Sequence, residues 1–98
     1  DVKRGIKMFD KLGTKIIGLI DNMSFFKGDD GKKYYIFGEG GVQKTAEEFK
    51  KDFLCEIHLD PEVGKQGDEG IPIVESNPEN EVSKIYLELA SKIKNLYL

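Results

Sequence analysis

The stretch that decides the fold is Lys15-Ile16-Ile17-Gly18-Leu19-Ile20-Asp21-Asn22-Met23-Ser24. Its first part, Lys15–Asp21, is a run of β-branched and leucine residues without the apolar–polar alternation of a half-exposed strand. Such runs are typical of strands that are buried on both faces, as in a parallel sheet. We therefore predict a buried strand over Lys15–Asp21, with Asn22 where the chain leaves the carboxyl end of that strand.

The segments on either side of this strand have helical or turn-like patterns. A helix is predicted before it, ending at Gly13, because apolar residues recur at helical spacing at Val2, Ile6, Phe9 and Leu12. After it, Phe25–Lys33 has the composition of a loop, and Tyr34–Phe37 is predicted to return as a short strand.

The second half of the chain repeats the order of helix and strand. A short helix is predicted from Val42 to about Lys51, and a second buried strand over Phe53–Ile57. Residues 60–70 are expected to form one poor helical turn and a loop, followed by an extended Ile71–Val74. Asn77-Pro78 is predicted to cap the last helix, whose apolar stripe is Val82, Ile85, Tyr86, Leu89, Ile93 and Leu96.

Helices that alternate with buried strands predict an α/β fold with right-handed crossovers. Two parallel strands are too few for a free-standing sheet. The chain also begins at Asp1 without a methionine. We therefore expect a piece of a larger parallel-sheet sandwich, with the missing strands supplied from upstream of Asp1.

Composition excludes several classes of function. The 98 residues are 39% apolar and 34% charged, which suits a soluble globular protein, and no apolar run approaches the roughly 20 residues of a membrane span. The net charge of −3 offers nucleic acid no general attraction. The single cysteine, Cys55, excludes an internal disulfide or a CxxC pair and indicates a reducing compartment, so a cytoplasmic protein without nucleic-acid or membrane partners is expected.

Three near-motifs have simpler explanations. Gly38–Thr45 almost spells the phosphate-binding GxxxxGK[ST], but Gln43 occupies the position that needs glycine, so a glycine-rich helix start is favoured. Asp29-Asp30-Gly31 lacks the alternate oxygen ligands of a calcium loop and is predicted to be a solvated turn. Cys55 and His58 lie three apart on a predicted strand, which directs them to opposite faces and favours a core thiol and a loop-edge imidazole over a catalytic pair.

Polar residues follow both predicted strands at their carboxyl ends. Asn22 follows the first strand, and His58-Leu59-Asp60 follows the second. Ligands of open α/β sheets bind beyond these strand ends, and a carboxamide offers the donor and acceptor that match the edge of adenine. A nucleotide-base pocket is one interpretation. The other is a turn-capping Asn22 and an N-capping Asp60 before Pro61.

The run Ile17–Phe26, IGLIDNMSFF, resembles the GIVENMSYF signature of the Mrp/ApbC family. The resemblance continues through Ile36–Gly41, Phe53–Asp60 and Gly67–Val74, and Asp1–Phe9 is similar to the family's DVKRAIxMF helix. Members of that family are iron–sulfur cluster carriers on a deviant Walker P-loop ATPase fold, related to MinD and to the nitrogenase iron protein.

The resemblance implies that residues 1–98 are the carboxyl-terminal portion of such an ATPase domain, without its Walker A half. It implies that Asn22 recognises adenine and that His58, Leu59 and Asp60 line the base. ATP would then bind only together with the missing amino-terminal half, and the chain alone, without catalytic or metal-binding residues of its own, is expected to be inactive. The implied partners are a second copy or the complementary half, together with iron–sulfur apo-proteins.

Residues 24–38 correspond to a flap in which many family members carry CxxC. Here Lys27–Gly31 contains no cysteine, and Cys55 matches a family glycine, so we expect the chain to hold no iron–sulfur cluster. His58 replaces a proline, and Gly64 stands where arginine is usual. The alternative functions are a fragment of a MinD- or partition-type ATPase and a nucleotide-free interaction module from a truncated gene.

Overall fold

Part of the segment Lys15–Ser24 lies in the central strand of a three-stranded sheet. The computed structural model describes all residues from Asp1 to Leu98. Its elements in chain order are α1 (Val2–Lys11), β1 (Leu19–Lys27), β2 (Lys33–Tyr34), α2 (Gly41–Glu48), β3 (Phe53–Leu59), α3 (Pro61–Asp68), α4 (Ile73–Ser76) and α5 (Glu81–Tyr97). No helix has the length and apolar character that a membrane crossing requires.

The sheet has the order β2-β1-β3, in which β1 pairs parallel with β3 and antiparallel with β2. Helix α2 connects the two parallel strands and packs against both, whereas α5 packs against β3 and α4. The predicted α/β class is therefore confirmed. The parallel ladder includes the pairs Asn22–Ile57 and Phe26–Leu59, so the second half of β1 lies beside the carboxyl end of β3.

The predicted bounds and burial of the first strand are wrong. Strand β1 begins at Leu19 rather than Lys15, because the neighbouring strand begins only at Phe53 and offers no earlier partner. It also continues past Asp21 to Lys27, where it pairs with β2, so Asn22 lies inside the strand rather than after its end. Gly18 passes so close to β3 that a Cβ there would lie 2.5 Å from Cγ of Leu54. The strand is also not buried on both faces, since Ile20 is 39% exposed.

The hairpin departs from the sequence prediction as well. Phe25 lies in β1 rather than in a loop, since its ring is buried and packs against Tyr35 and His58. The turn is confined to Gly28–Lys32, closed by the amide of Gly28 donating to the carbonyl of Lys32 at 2.9 Å. The returning strand is Lys33–Tyr34 rather than Tyr34–Phe37.

Three further corrections concern the second half. Residues 60–70 contain the two-turn helix α3 rather than one poor turn, and Ile71–Val74 is not extended, because α4 begins at Ile73. Helix α5 is capped by Asn80, not by Asn77-Pro78, because the Asn80 side chain accepts the amide of Val82 at 2.8 Å.

The core lies between β3 and the helices that follow it. Its centre is formed by Ile57, Ile73 and Val82, which are 4%, 5% and 1% exposed. Buried Ser83 fastens α5 to α4, since its hydroxyl lies 3.1 Å from the carbonyl of Ile73 and 2.7 Å from that of Asn77. The predicted apolar stripe of the last helix thus contributes its first turn to the core.

Replacing Ile57 with alanine should lower the free energy of unfolding by about 2–5 kcal/mol, because the lost side chain leaves a cavity in the core. Urea unfolding followed by circular dichroism measures the change. Ile36→Ala is the matched control, since Ile36 is 62% exposed. An equal loss of stability in both variants would contradict the placement of this core.

Candidate functional site

A cavity of about 430 Å³ lies between the bulged middle of β1 and the carboxyl end of β3. Asn22, His58, Leu59 and Asp60, the four residues singled out in the sequence, all line it. Most of the remaining wall is apolar and comes from Met23, Phe26, Ile57, Pro61, Val63, Val82 and Tyr86. The structure thus brings Asn22 of β1 and the residues His58–Asp60 at the end of β3 into one concave surface.

Asn22 lies at the edge of this cavity because the strand bulges immediately after it. The parallel register is regular from the pair Ile20–Cys55 to the pair Asn22–Ile57 and resumes at Phe26–Leu59, so β1 contains two more residues than β3 between the last two pairs. Met23 takes up the irregularity with φ of 57°, the left-handed region that non-glycine residues seldom adopt. The Asn22 side chain is exposed and makes no hydrogen bond within the chain, so its amide and carbonyl groups are available to a ligand.

Asp60 has a structural role in the cavity wall. One carboxylate oxygen accepts the backbone amide of Glu62 at 2.9 Å and caps α3. The other accepts the Asn80 side-chain amide, also at 2.9 Å. Because both oxygens are engaged, Asp60 positions the start of α3 against α5 rather than presenting a free carboxylate.

The same polar cluster continues through Glu62. Its carboxylate accepts the side-chain amides of Asn77 at 3.1 Å and of Asn80 at 2.9 Å. Asn80 therefore bonds to two carboxylates while its own oxygen caps α5. The cluster fixes the apolar wall of the cavity where α3 and α5 meet.

His58 forms the boundary between this cavity and a second groove under the hairpin. Its side chain is only 9% exposed and stacks on Phe25, with ring centroids 5.4 Å apart and planes inclined by 27°. The Nε2 atom lies 3.7 Å from a carboxylate oxygen of Glu81 at the start of α5. His58 thus packs the end of β3 against the hairpin.

Cys55 and His58 do not form a catalytic pair. They lie three residues apart on β3, and Cys55 packs against the Ile57, Ile73 and Val82 core. Burial raises the pKa of the Cys55 thiol, which disfavours the thiolate that a nucleophile or cluster ligand requires. The predicted contact of the thiol with the core is confirmed, although Cys55 is only partly buried. The predicted loop-edge imidazole is wrong, because His58 lies within β3 and its side chain is only 9% exposed.

The two other near-motifs also have structural roles. Gly40, with φ of 74°, precedes α2, and the Thr45 hydroxyl donates to the carbonyl of Gly41 at 3.0 Å inside that helix, which confirms the glycine-rich helix start. In the turn, Asp30 accepts the Tyr34 hydroxyl at 2.6 Å and the Lys32 amide at 2.9 Å. Both hydrogen bonds lower the pKa of the Asp30 carboxyl, and the bond from Tyr34 has the larger effect.

Comparison with known proteins places this chain in a family. A family model described as ParA, NUBPL iron-transfer P-loop NTPase, matches residues 1–94. The iron-sulfur cluster carrier protein of Aquifex aeolicus is 39% identical over 97 residues, which are 98% of this chain and 27% of that protein. The carrier protein of the same name from Saccharolobus solfataricus is 42% identical over 93 residues, 94% of this chain and 31% of that protein.

A solved structure gives the same result for the fold. The nucleotide-binding protein of Archaeoglobus fulgidus, in complex with ADP, is similar with a TM-score of 0.60 and 33% identity, over 70% of this chain and 29% of its own. The architecture is therefore that of part of a P-loop nucleotide-binding protein. More particularly, the chain belongs to the iron-transfer P-loop NTPase family of Mrp and NUBPL proteins, as its resemblance to Mrp/ApbC sequences predicts. It spans 27–31% of the length of the two curated relatives.

Sequence reasoning missed the apolar walls of the cavity and the cap of α5. Met23, Phe26 and Tyr86 contribute to the walls because of the bulge in β1 and the approach of α5. The cap could have been predicted from the sequence, because Asn80 lies two residues before Val82, where the apolar stripe begins.

Asn80→Ala should lower the free energy of unfolding by about 0.5–2 kcal/mol, because the cap of α5 is lost and two carboxylates lose a donor. Chemical denaturation provides the measurement. Asn95→Ala, at an exposed position near the other end of α5, is the control and should change stability little. If both variants unfold at the wild-type denaturant concentration, Asn80 does not stabilise the cavity wall.

Proposed function

We propose that this chain supplies the adenine side of an ATP site in an iron–sulfur cluster carrier or assembly protein. The observation that carries the proposal is the Asn22 carboxamide, which is free of internal hydrogen bonds at the edge of an apolar cavity at the strand ends. A purine ring needs apolar surfaces against its faces and a donor–acceptor pair at its edge. The cavity offers both.

The described residues fit the base of a nucleotide. Met23, Phe26, Leu59 and Tyr86 offer apolar surface around Asn22, and the cavity volume lies within the range of small-molecule sites. His58 and Asp60 act as walls, the first stacked on Phe25 and the second fixed by its two hydrogen bonds. In the Archaeoglobus fulgidus structure the bound nucleotide is ADP, which supports an adenine ligand.

In this proposal the phosphate side of the site is supplied by residues outside these 98. The one segment that approaches a phosphate loop is used for the first turns of α2, with Thr45 bonded inside the helix. Phosphoryl transfer depends almost entirely on positioning the phosphates and neutralising their charge. The chain therefore binds the base and contributes to a cytoplasmic ATPase only when a complementary half, or a dimer that provides one, is present.

The iron–sulfur cluster is the cargo of the carriers to which this chain is similar. Cys55 faces the core with a raised thiol pKa, and no group of three or more His, Cys, Asp or Glu side chains is placed to hold a metal ion. In our proposal the cluster is held by residues outside this chain and delivered to iron–sulfur apo-proteins. The iron-sulfur relatives favour this role over a MinD- or partition-type ATPase.

ADP should bind at this cavity once the missing amino-terminal part of the domain is restored to the chain. In an NMR titration we expect ADP to shift the side-chain amide signals of Asn22 and the ring signals of His58, and GDP to shift them less, because guanine presents the opposite donor–acceptor pattern. Asn22→Ala should weaken ADP binding by about 1–3 kcal/mol. Asn95→Ala is the control and should bind like wild type.

The same titration separates the alternatives. Equal losses for ADP and GDP in Asn22→Ala would mean that Asn22 only shapes the turn. No shift at any residue, even at millimolar ADP, would favour the nucleotide-free interaction module.

Anaerobic reconstitution with iron and sulfide should give no stable [4Fe–4S] cluster on the chain, because clusters of this type are held by about four thiolates. Iron and sulfide analysis with absorption spectroscopy measures the outcome. Stoichiometric iron and sulfide that disappear in Cys55→Ser would show that the lone thiol binds a cluster after all.

A further inference from the structure

A second groove is separated from the nucleotide cavity by His58. It has a volume of about 500 Å³ and lies between the hairpin and the first turns of α5. Its floor is formed by the buried ring of Phe25, the ring of His58 and the half-buried Ile85. Apart from the wall that His58 shares with both, this groove contains no residue of the proposed nucleotide site.

Three lysines surround the floor of this groove. Lys27 comes from the end of β1, Lys33 from β2 and Lys84 from α5, whereas Glu81 is the only acidic residue that lines it. The groove therefore has an excess of positive charge, although the chain as a whole carries a net charge of −3. The amino-terminal end of the 17-residue helix α5 also lies here, and its dipole adds to the positive potential.

The ammonium groups of these lysines lack close partners within the chain. The Nζ atom of Lys27 lies 3.6 Å from a carboxylate oxygen of Glu81, and that of Lys84 lies 3.7 Å from one of Glu79. Both distances exceed those of charged hydrogen bonds. The Nζ atom of Lys33 lies 4.7 Å from the centroid of an aromatic ring of the floor rather than beside a carboxylate. All three lysines are exposed, so a ligand can reach them in the folded chain.

The carboxylate of Glu81 shows which chemical group the groove attracts. One of its oxygens lies near Lys27, and the other lies 3.7 Å from Nε2 of His58. The Glu81 side chain is 64% exposed, so burial does not fix it in this position. A single, loosely held carboxylate leaves most of the positive charge of the groove without a counter-charge.

We propose that the floor and its three lysines, here called the lysine groove, dock an acidic peptide segment of a partner protein. Carboxylates of that segment pair with the lysines, and an apolar side chain between them lies on Phe25 and Ile85. The proposal rests on charge complementarity between the groove and its ligand. It goes beyond the nucleotide function, because it requires neither Asn22 nor a bound nucleotide.

The arrangement of the charges favours a peptide over a small anion. A small-anion site gathers several donors around one point, whereas these lysines come from three separate elements around about 500 Å³ of open space. A peptide with separated carboxylates can reach all three lysines. The apolar floor can also receive a side chain, which a phosphate ion lacks. Nucleic acid is disfavoured by Glu81 inside the groove and by the net negative charge of the chain.

Fluorescence anisotropy with a labelled peptide, Ser-Glu-Glu-Leu-Glu-Glu-Ser, tests the lysine groove at low ionic strength, where exposed charges are least screened. The protein should bind this peptide about tenfold more tightly than the same peptide with glutamine in place of glutamate, because several ion pairs are lost together. Lys27→Ala, Lys33→Ala and Lys84→Ala should each weaken binding about two- to fivefold, as exposed ion pairs do. Lys94→Ala is the matched control, since Lys94 is an exposed lysine of α5 outside the groove, and should bind like wild type.

Glu81→Gln supplies a test in the opposite direction. Removing this carboxylate should strengthen binding of the glutamate peptide about two- to fivefold, because Lys27 then has no competing partner within the chain. Circular dichroism of each variant verifies that it folds.

Four results would overturn the proposal. The first is no binding of the glutamate peptide at low ionic strength, and the second is equal binding of the glutamate and glutamine peptides. The third is an equal loss in Lys84→Ala and Lys94→Ala, which would mean that the peptide responds only to overall charge. The fourth is displacement of the peptide by inorganic phosphate at an ionic strength at which sodium chloride leaves it bound, which would identify a small-anion site instead.

Discussion

The Asp60 carboxylate is the point on which the candidate site depends. One of its oxygens begins α3 and the other holds Asn80 at the start of α5, so a single side chain joins the end of β3 to both helices. The hydrogen bond from Asn80 to Glu62 joins α5 to α3 a second time, beside the link through Asp60. With both links, the walls contributed by Val63 and Tyr86 are held at a fixed separation beyond the strand ends.

The parallel ladder of β1 and β3 determines what those walls enclose. Pairing Asn22 with Ile57 brings two segments 35 residues apart in the chain to the same edge of the sheet. Helix α2 between them buries Ala46 and Thr45, while its polar residues Glu47 and Glu48 remain exposed. The site therefore depends on the topology of the sheet, because residues of both β1 and β3 are needed to form the cavity.

The sequence predicted the α/β class and the residues at the strand ends because both depend on patterns within short segments. It placed the start of β1 four residues too early, because the start of a strand depends on where its partner strand begins, here at Phe53. It predicted loop for Phe25, whose strand conformation depends on burial against His58, a residue far along the chain. It assigned the α5 cap to Asn77, because Asn77-Pro78 and Asn80 are equally acceptable locally and only the contacts of Asn80 with Asp60 and Glu62 distinguish them.

The left-handed conformation of Met23 allows the hairpin to change in length without affecting the cavity. The two strands keep one register from Ile20 to Asn22 and have another at Phe26, so the bulge separates two parts of β1 that differ in register. A change in the length of the Gly28–Lys32 turn shifts only the pairs beyond the bulge and leaves the pair Asn22–Ile57 in place. The hairpin is thereby a segment whose length and composition can vary while the pair Asn22–Ile57 keeps its geometry.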